Sequence, residues 1–458
     1  MGAGTARGGA CLLISGNVRK NMEFVVFAGV LLLLFIFMIV QELIQTKNQE
    51  KLFKKYLREN YGKEPPKEYS LERFARLGSY LERHKEEKQL DDITWNDLGM
   101  DEVFRRIDRT YSAAGEEYLY YTLRNISCGR EAMEHLEEVV NWLQEQEDIK
   151  VRIQLLMKRL GHLGKYSLYD YLDNLDYLGE RSNRKIVLGN LLYLPFLLLL
   201  FVQPAMGTIG IVLCMLWHIM TYFREKKVIE PYIISFAYVL RLIDVCEELE
   251  KQKIPVYRRE LDELREVLKS LRELRRGSYW VMAGNQGKIG GNPLDILADY
   301  LRMILHLDIF QFNRMLEKLR KKTGQVETML AITGYLDMAI SVGGFRKSLE
   351  GYCIPKLEED TEKAFLHMKK GWHPLLSQPV KNSIRADRGI LLTGSNASGK
   401  STFLKMVAVN AVLAQTIHTC AAESYHAPIF QIFSSMALRD SMENGESYYI
   451  CLLYTSPS

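Results

Sequence analysis

The run Gly394-Ser395-Asn396-Ala397-Ser398-Gly399-Lys400-Ser401 fits the spacing G-x-x-x-x-G-K-[ST] at every fixed position. Those residue types at that spacing can grip a triphosphate. The glycines let backbone close around an anion with no Cβ in the way, and a helix that follows presents free N–H groups to phosphate oxygens. Lys400 would reach the β- and γ-phosphates, and the Ser401 hydroxyl would sit on Mg²⁺. The expected ATP·Mg²⁺ site comprises Gly394, Ser395, Asn396, Ala397, Ser398, Gly399, Lys400, Ser401 and Thr402. Such a loop needs a strand before it and a helix after it. Gly389 to Thr393 has the apolar character of a buried parallel strand, and Thr402 to Thr419 reads as a helix apolar on most faces.

Composition narrows the setting. A chain of 458 residues, 25% charged and 47% apolar, has room for two or three domains. A net charge of +4 carries no strong nucleic-acid signal. The seven cysteines are odd in number, scattered and never paired as C-x-x-C, which points to a reducing compartment and away from zinc or a disulfide framework. No H-E-x-x-H or nucleophile-elbow pattern is present.

Two stretches are too apolar for an ordinary soluble core. Phe24 to Val40 has no charge over 17 residues, and Ile186 to Phe223 has none over 38, with Gln203-Pro204 near its middle. The first suits one membrane span and the second a hairpin of two, giving three expected transmembrane helices. A secretory signal is the rival reading of the first, against which no small-residue cleavage site follows it. A buried core hairpin is the rival for the second. Lys47, Lys51, Lys54, Lys55 and Arg58 follow the first span, and Arg181, Arg184, Lys185, Arg224, Lys226 and Lys227 flank the hairpin. This placement predicts a multi-pass protein of a cell membrane, in a bacterium the inner one, with its bulk in the cytoplasm.

The expected organisation is a leader over 1–21, for which a start at Met22 is one reading, and a first span over 22–45. A helical core over 46–185, the hairpin over 186–223 and a second helical part, core or lever, over 224–350 follow. The phosphate-loop domain occupies 351–449. Tyr257, Leu261, Leu264, Leu268 and Leu271 alternate spacings of four and three, which suits either a dimer zipper or a solvated helix packed along one stripe. The fold class is mostly α with an incomplete C-terminal α/β P-loop NTPase domain of ABC type.

Several segments together resemble the MutS family of DNA mismatch-repair ATPases. "RTYSAAGEEYLYYTL", with Thr110, Gly115, Leu119 and Leu123, resembles the start of that family's core domain. "YLDMAISVGGF" resembles the entry to its ATPase domain, "GWHPLL" its Arg-His-Pro-Leu element with Trp372 before His373, and "TGSNASGKST" its phosphate loop with Ser395 in place of proline. "RDSMENGESYY" is similar to its signature loop through Asp440, Gly445, Ser447 and Tyr449. The resemblance implies ATP and Mg²⁺ as cofactors, DNA as partner, and a homodimer in which Ser447 reaches the partner's nucleotide. The family's mismatch-reading N-terminal domain has no counterpart; a membrane span stands there.

No apolar strand ending in Asp-Glu follows the signature loop, so no catalytic carboxylate is present and the chain as given is expected not to hydrolyse ATP. Residues 450–458 read ICLLYTSPS, and Cys451 to Ser456 is a one-frame translation of a transposon-end sequencing adapter, so 450–458 is expected not to be native. Two other classes remain as alternatives: an ABC-type transporter ATPase, and a membrane scaffold whose loop only binds nucleotide.

Overall fold

Helix formers dominate from Leu71 to Ser348, and the helices they build enclose one apolar core. The computed structural model describes residues 37–436 except 39, 42–43, 65–68, 70, 87, 127–128, 164–166, 273–299, 360–363 and 396–397. The leader, most of the expected first span and everything from 437 on therefore lie outside the described residues. So do Asn396 and Ala397 of the loop and Asp440, Gly445, Ser447 and Tyr449 of the signature segment.

After a helix over 44–60 come α1 (Leu71–Arg83), α2 (Asp92–Leu98), α3 (Met100–Ile107), α4 (Ala113–Arg124), α5 (Arg130–Glu145), α6 (Glu147–Leu160) and α7 (Leu168–Asp173). Next are α8 (Arg184–Leu191), α9 (Tyr193–Val202), α10 (Pro204–Glu250), α11 (Arg258–Leu271), α12 (Leu307–Leu319) and α13 (Thr323–Ser348). Helix α13 is buried on all sides from Leu336 to Arg346 and lies along α4. Their approach depends on Gly115, because a Cβ there would stand 2.4 Å from Asp337 Oδ2. That carboxylate accepts from Ser112 N (2.8 Å), Ser112 Oγ (2.6 Å) and Tyr111 N (3.0 Å). It thereby satisfies donors that the start of α4 would leave orphaned, and places a negative charge at the positive end of its dipole. Thr110, Leu119 and Leu123 are fully buried beside it.

Glu117, on the same helix, is buried and accepts from Ser167 Oγ at 2.9 Å. Burial raises its carboxyl to about 8 from an ordinary 4.5, with Glu116 and Asp170 adding repulsion against the pull of Ser167 and Arg76. A raised folded-state value means that the folded protein holds this proton more tightly than the unfolded chain. The associated stability is complete below about pH 4.5 and is lost as pH rises through 8. Glu117→Gln should remove that slope, matching the wild type near pH 5 and exceeding it near pH 8.5 by on the order of a few kcal/mol. Unfolding titrations at the two pH values test this.

The apolar hairpin is formed by α8 and α9 running out and α10 returning. Pro204 opens α10, where its missing N–H costs nothing. A Cβ on Gly207 would lie 2.7 Å from Leu200 N, so the small residue lets the two rods touch. Among the described residues three helices are long and apolar enough to cross a membrane. Their surroundings differ: the apolar window is 83% buried in Thr323–Ser348, but 6% in Arg184–Val202 and 28% in Pro204–Glu230. The first is a core helix; the other two present leucines outward. Helix α10 continues past them for 47 residues in all, about 70 Å at 1.5 Å per residue, and its second half enters the core through Phe236, Leu242 and Leu249.

The heptad-like seam is an internal stripe. Tyr257, Leu261, Leu264 and Leu271 are buried in the shared core where α11 packs on α10 and α13.

Beyond α13 come β1 (Lys356–Glu358), β2 (Leu366–Gly371), β3 (Asn382–Ala386), α14 (Lys400–Ile417) and β4 (Ser424–Pro428). The sheet is small and mixed, in the order β1-β4-β2-β3, with β1 and β4 parallel and the other pairs antiparallel. The strand expected at Gly389 to Thr393 is not formed. Ile390 and Leu391 are 54% and 88% exposed, and the segment is irregular. A parallel strand buried on both faces needs neighbours for its N–H and C=O groups, and no described strand lies beside this one.

Candidate functional site

Helix α14 carries the phosphate-loop residues at its N-terminus and anchors them through its other end. Its C-terminal half, from Val409 to Ile417, is buried. Asn410 fixes the register: its amide donates to Trp372 O (3.0 Å), and its Oδ1 accepts from Ala421 N (2.7 Å). Gln415 does the same on the next turn, donating to Phe430 O and accepting from Phe430 N, both at 2.9 Å. His373 is buried beside this helix, and burial together with the Lys405 charge lowers its pKa. Its Nδ1 accepts from Leu375 N at 3.3 Å, so the ring serves the turn that follows it.

At the open end, Gly399 precedes the helix at φ +86°, a conformation that only glycine adopts without strain. Lys400 folds its ammonium back over the loop, donating to Gly394 O (2.7 Å), Ser395 O (2.5 Å) and Ser398 Oγ (3.4 Å). Gly394 leaves little room: a Cβ there would lie 3.0 Å from Ser398 Oγ. Ser401 and Thr402 are exposed on the first turn of α14, whose N–H groups have no intrahelical partner. The described donors at this end of α14 are thus the Lys400 ammonium, the Ser398, Ser401 and Thr402 hydroxyls and the helix N-terminus. That set fits a phosphate chain, and Ser401 could hold its metal ion. Among the described residues no His, Cys, Asp and Glu cluster could bind a metal by itself.

Sequence reading missed what ties α14 to the helical body. Arg346, near the end of α13, is buried and reaches across to the last turn of α14. It donates to Thr419 Oγ1 (2.8 Å), His418 O (3.0 Å) and Ile417 O (3.3 Å), and forms a two-point ion pair with Glu137 of α5 at 3.1 and 2.8 Å. His418 lies 3.5 Å from the same carboxylate. Burial would raise Glu137, but the hydrogen bonds from His418 and Arg346 outweigh it and hold the group at about 2. The available signal was an arginine and an aspartate, Arg346 and Asp337, in an otherwise apolar run: buried charges require partners.

Residues 390–454, which include this loop, match the family model for MutS domain V. The chain is 31% identical over 145 residues to the DNA mismatch repair protein MutS of Acholeplasma laidlawii, covering 30% of this chain and 17% of that protein. It is 30% identical over 159 residues to that of Leptospira interrogans (32% and 18%), and 30% identical over 120 residues to that of Thermotoga maritima (24% and 15%). The matched region spans less than a fifth of each of these relatives. These matches support a MutS-family protein, through a segment that resembles its domain V.

Proposed function

We propose that this chain is the membrane-anchored, nucleotide-binding part of a MutS-type ATPase that acts on DNA. The observation that carries the reading is the coincidence of the domain V match with the donor set at the mouth of α14. Gly394 to Thr402 would form a P-loop NTPase site of ABC type, with Lys400 on the phosphates and Ser401 on Mg²⁺. Bound ATP supplies the negative charge that draws the loop and a second subunit together. Ser447 would approach the partner's nucleotide, making closure of a homodimer dependent on ATP. The chain's own residues would relay that closure: α14 is locked by Arg346 to α13, and α13 lies along α4 in the helical core. The outward-facing leucines of α8, α9 and the first half of α10 support anchoring in a membrane, with the ATPase segment on the cytoplasmic side.

The test is DNA binding by the full chain in detergent, titrated with duplex DNA at several salt concentrations, with and without ATP·Mg²⁺. The expected result is binding that weakens steeply with salt and shifts when nucleotide is added. No binding at low salt, or binding indifferent to nucleotide, would remove DNA from the proposal.

A further inference from the structure

The base of the hairpin holds a cavity of about 480 Å³ where α8, α10 and α12 meet. One side is basic. Arg181, Lys185 and Arg224 line it, against Glu180 and Glu225. Arg181 pairs with Glu225 at 3.3 Å, yet its Nε is buried with no hydrogen-bond partner. Lys185 and Arg224 are exposed and make no ion pair among the described residues. The other side is apolar, formed by Ile186, Gly189 and Trp217. It continues toward the hairpin tip through Leu192, 45% exposed, and Leu213, 61% exposed. The wall thus changes from cationic to apolar in the direction of the hairpin tip.

We propose that this cavity binds the phosphate of an anionic phospholipid, with the cations on the headgroup and the acyl chains along α8 and α10. A phosphate oxyanion is the chemistry that unpaired guanidinium and ammonium groups recognise. A free phosphate offers the same charge but nothing for the apolar wall. A phospholipid fills both, and Trp217 sits at the boundary where indole rings favour the membrane interface. Basic pockets between spanning helices on the cytoplasmic side are suited to lipid headgroups on electrostatic grounds. The inference rests on the proposed membrane insertion of the hairpin and adds to it a headgroup preference. It would make the base of α10, the rod that enters the helical core, sensitive to lipid charge.

The test reconstitutes the full chain in phosphatidylcholine vesicles carrying an equal fraction of spin-labelled phosphatidylcholine or spin-labelled phosphatidylglycerol. The fraction of motionally restricted label is then read by electron paramagnetic resonance. Phosphatidylglycerol should associate about three- to tenfold more strongly, and Lys185→Gln with Arg224→Gln should abolish the difference, as expected when each cation near a membrane contributes several-fold. Both side chains are exposed, so the double variant should fold, and circular dichroism checks that it does. Equal restriction of the two lipids would overturn the headgroup site while leaving membrane insertion standing. No restricted lipid of either kind would overturn insertion as well. If millimolar inorganic phosphate erased the preference, the site would be one for free phosphate and the lipid proposal would fail.

Discussion

Arg346→Met should loosen the last turn of α14 by about 2–4 kcal/mol, toward the lower end for a broken buried ion pair because Glu137 keeps 20% exposure. The arginine alone joins three elements: its own α13, the Glu137 carboxylate of α5, and the carbonyls of Ile417 and His418 that end α14. Methionine fills the volume but leaves the carboxylate with Asn141 and His418 as its remaining partners and those carbonyls without the guanidinium, and the penalty comes from that desolvation rather than from lost packing. Amide hydrogen exchange should report it locally, with protection over residues 413–421 falling by roughly 30- to 1000-fold, since 1.4 kcal/mol is about tenfold. Replacing Glu137 and Arg346 together by methionine should restore much of the loss. The wild-type clamp also has a defined acid limit. Because the folded Glu137 titrates at about 2 against an ordinary 4.5, its contribution is complete above about pH 4.5 and disappears as pH falls through 2. Unchanged exchange in Arg346→Met would mean that packing alone holds α14.

Asp337→Ala should cost roughly 3–5 kcal/mol of global stability, as judged by chemical denaturation. Two backbone N–H groups and the Ser112 hydroxyl all point at this one buried carboxylate. Each buried donor left unsatisfied costs about 1–3 kcal/mol, and α4 also loses the charge at its N-terminus. Asp337→Asn should recover part of this, since one acceptor oxygen remains. The loss should appear in the whole helical body rather than in α14 alone, because α13 and α4 are its centre. A loss below about 1 kcal/mol would show that another group or solvent replaces the carboxylate.

What was legible in the sequence follows from which forces are local. The apolar hairpin could be read from length and charge alone, and the helix after the phosphate loop from its continuous apolar run; α14 spans Lys400–Ile417. Gly115 was singled out by resemblance, and the structure supplies its reason in the Asp337 carboxylate. The seam from Tyr257 to Leu271 could not be assigned to a zipper or to an internal stripe, because periodicity reveals that a face is covered and not what covers it. The strand at Gly389 to Thr393 failed for a related reason. Apolar residues predict burial, but a parallel strand exists only with its neighbours, and the described sheet supplies none at that edge. The Arg346–Glu137 clamp was invisible because its partners are separated by 209 positions.

The most direct test of the central claim is equilibrium binding of a fluorescent ATP analogue to the purified full chain, with and without Mg²⁺, compared with Lys400→Met. Saturable binding that Mg²⁺ strengthens is expected for the wild type. The variant should bind roughly 10- to 100-fold more weakly, the amount that losing a charged hydrogen-bond donor implies. An absence of binding to the wild type, or equal affinity in both proteins, would contradict the assignment of Gly394 to Thr402 as a nucleotide site.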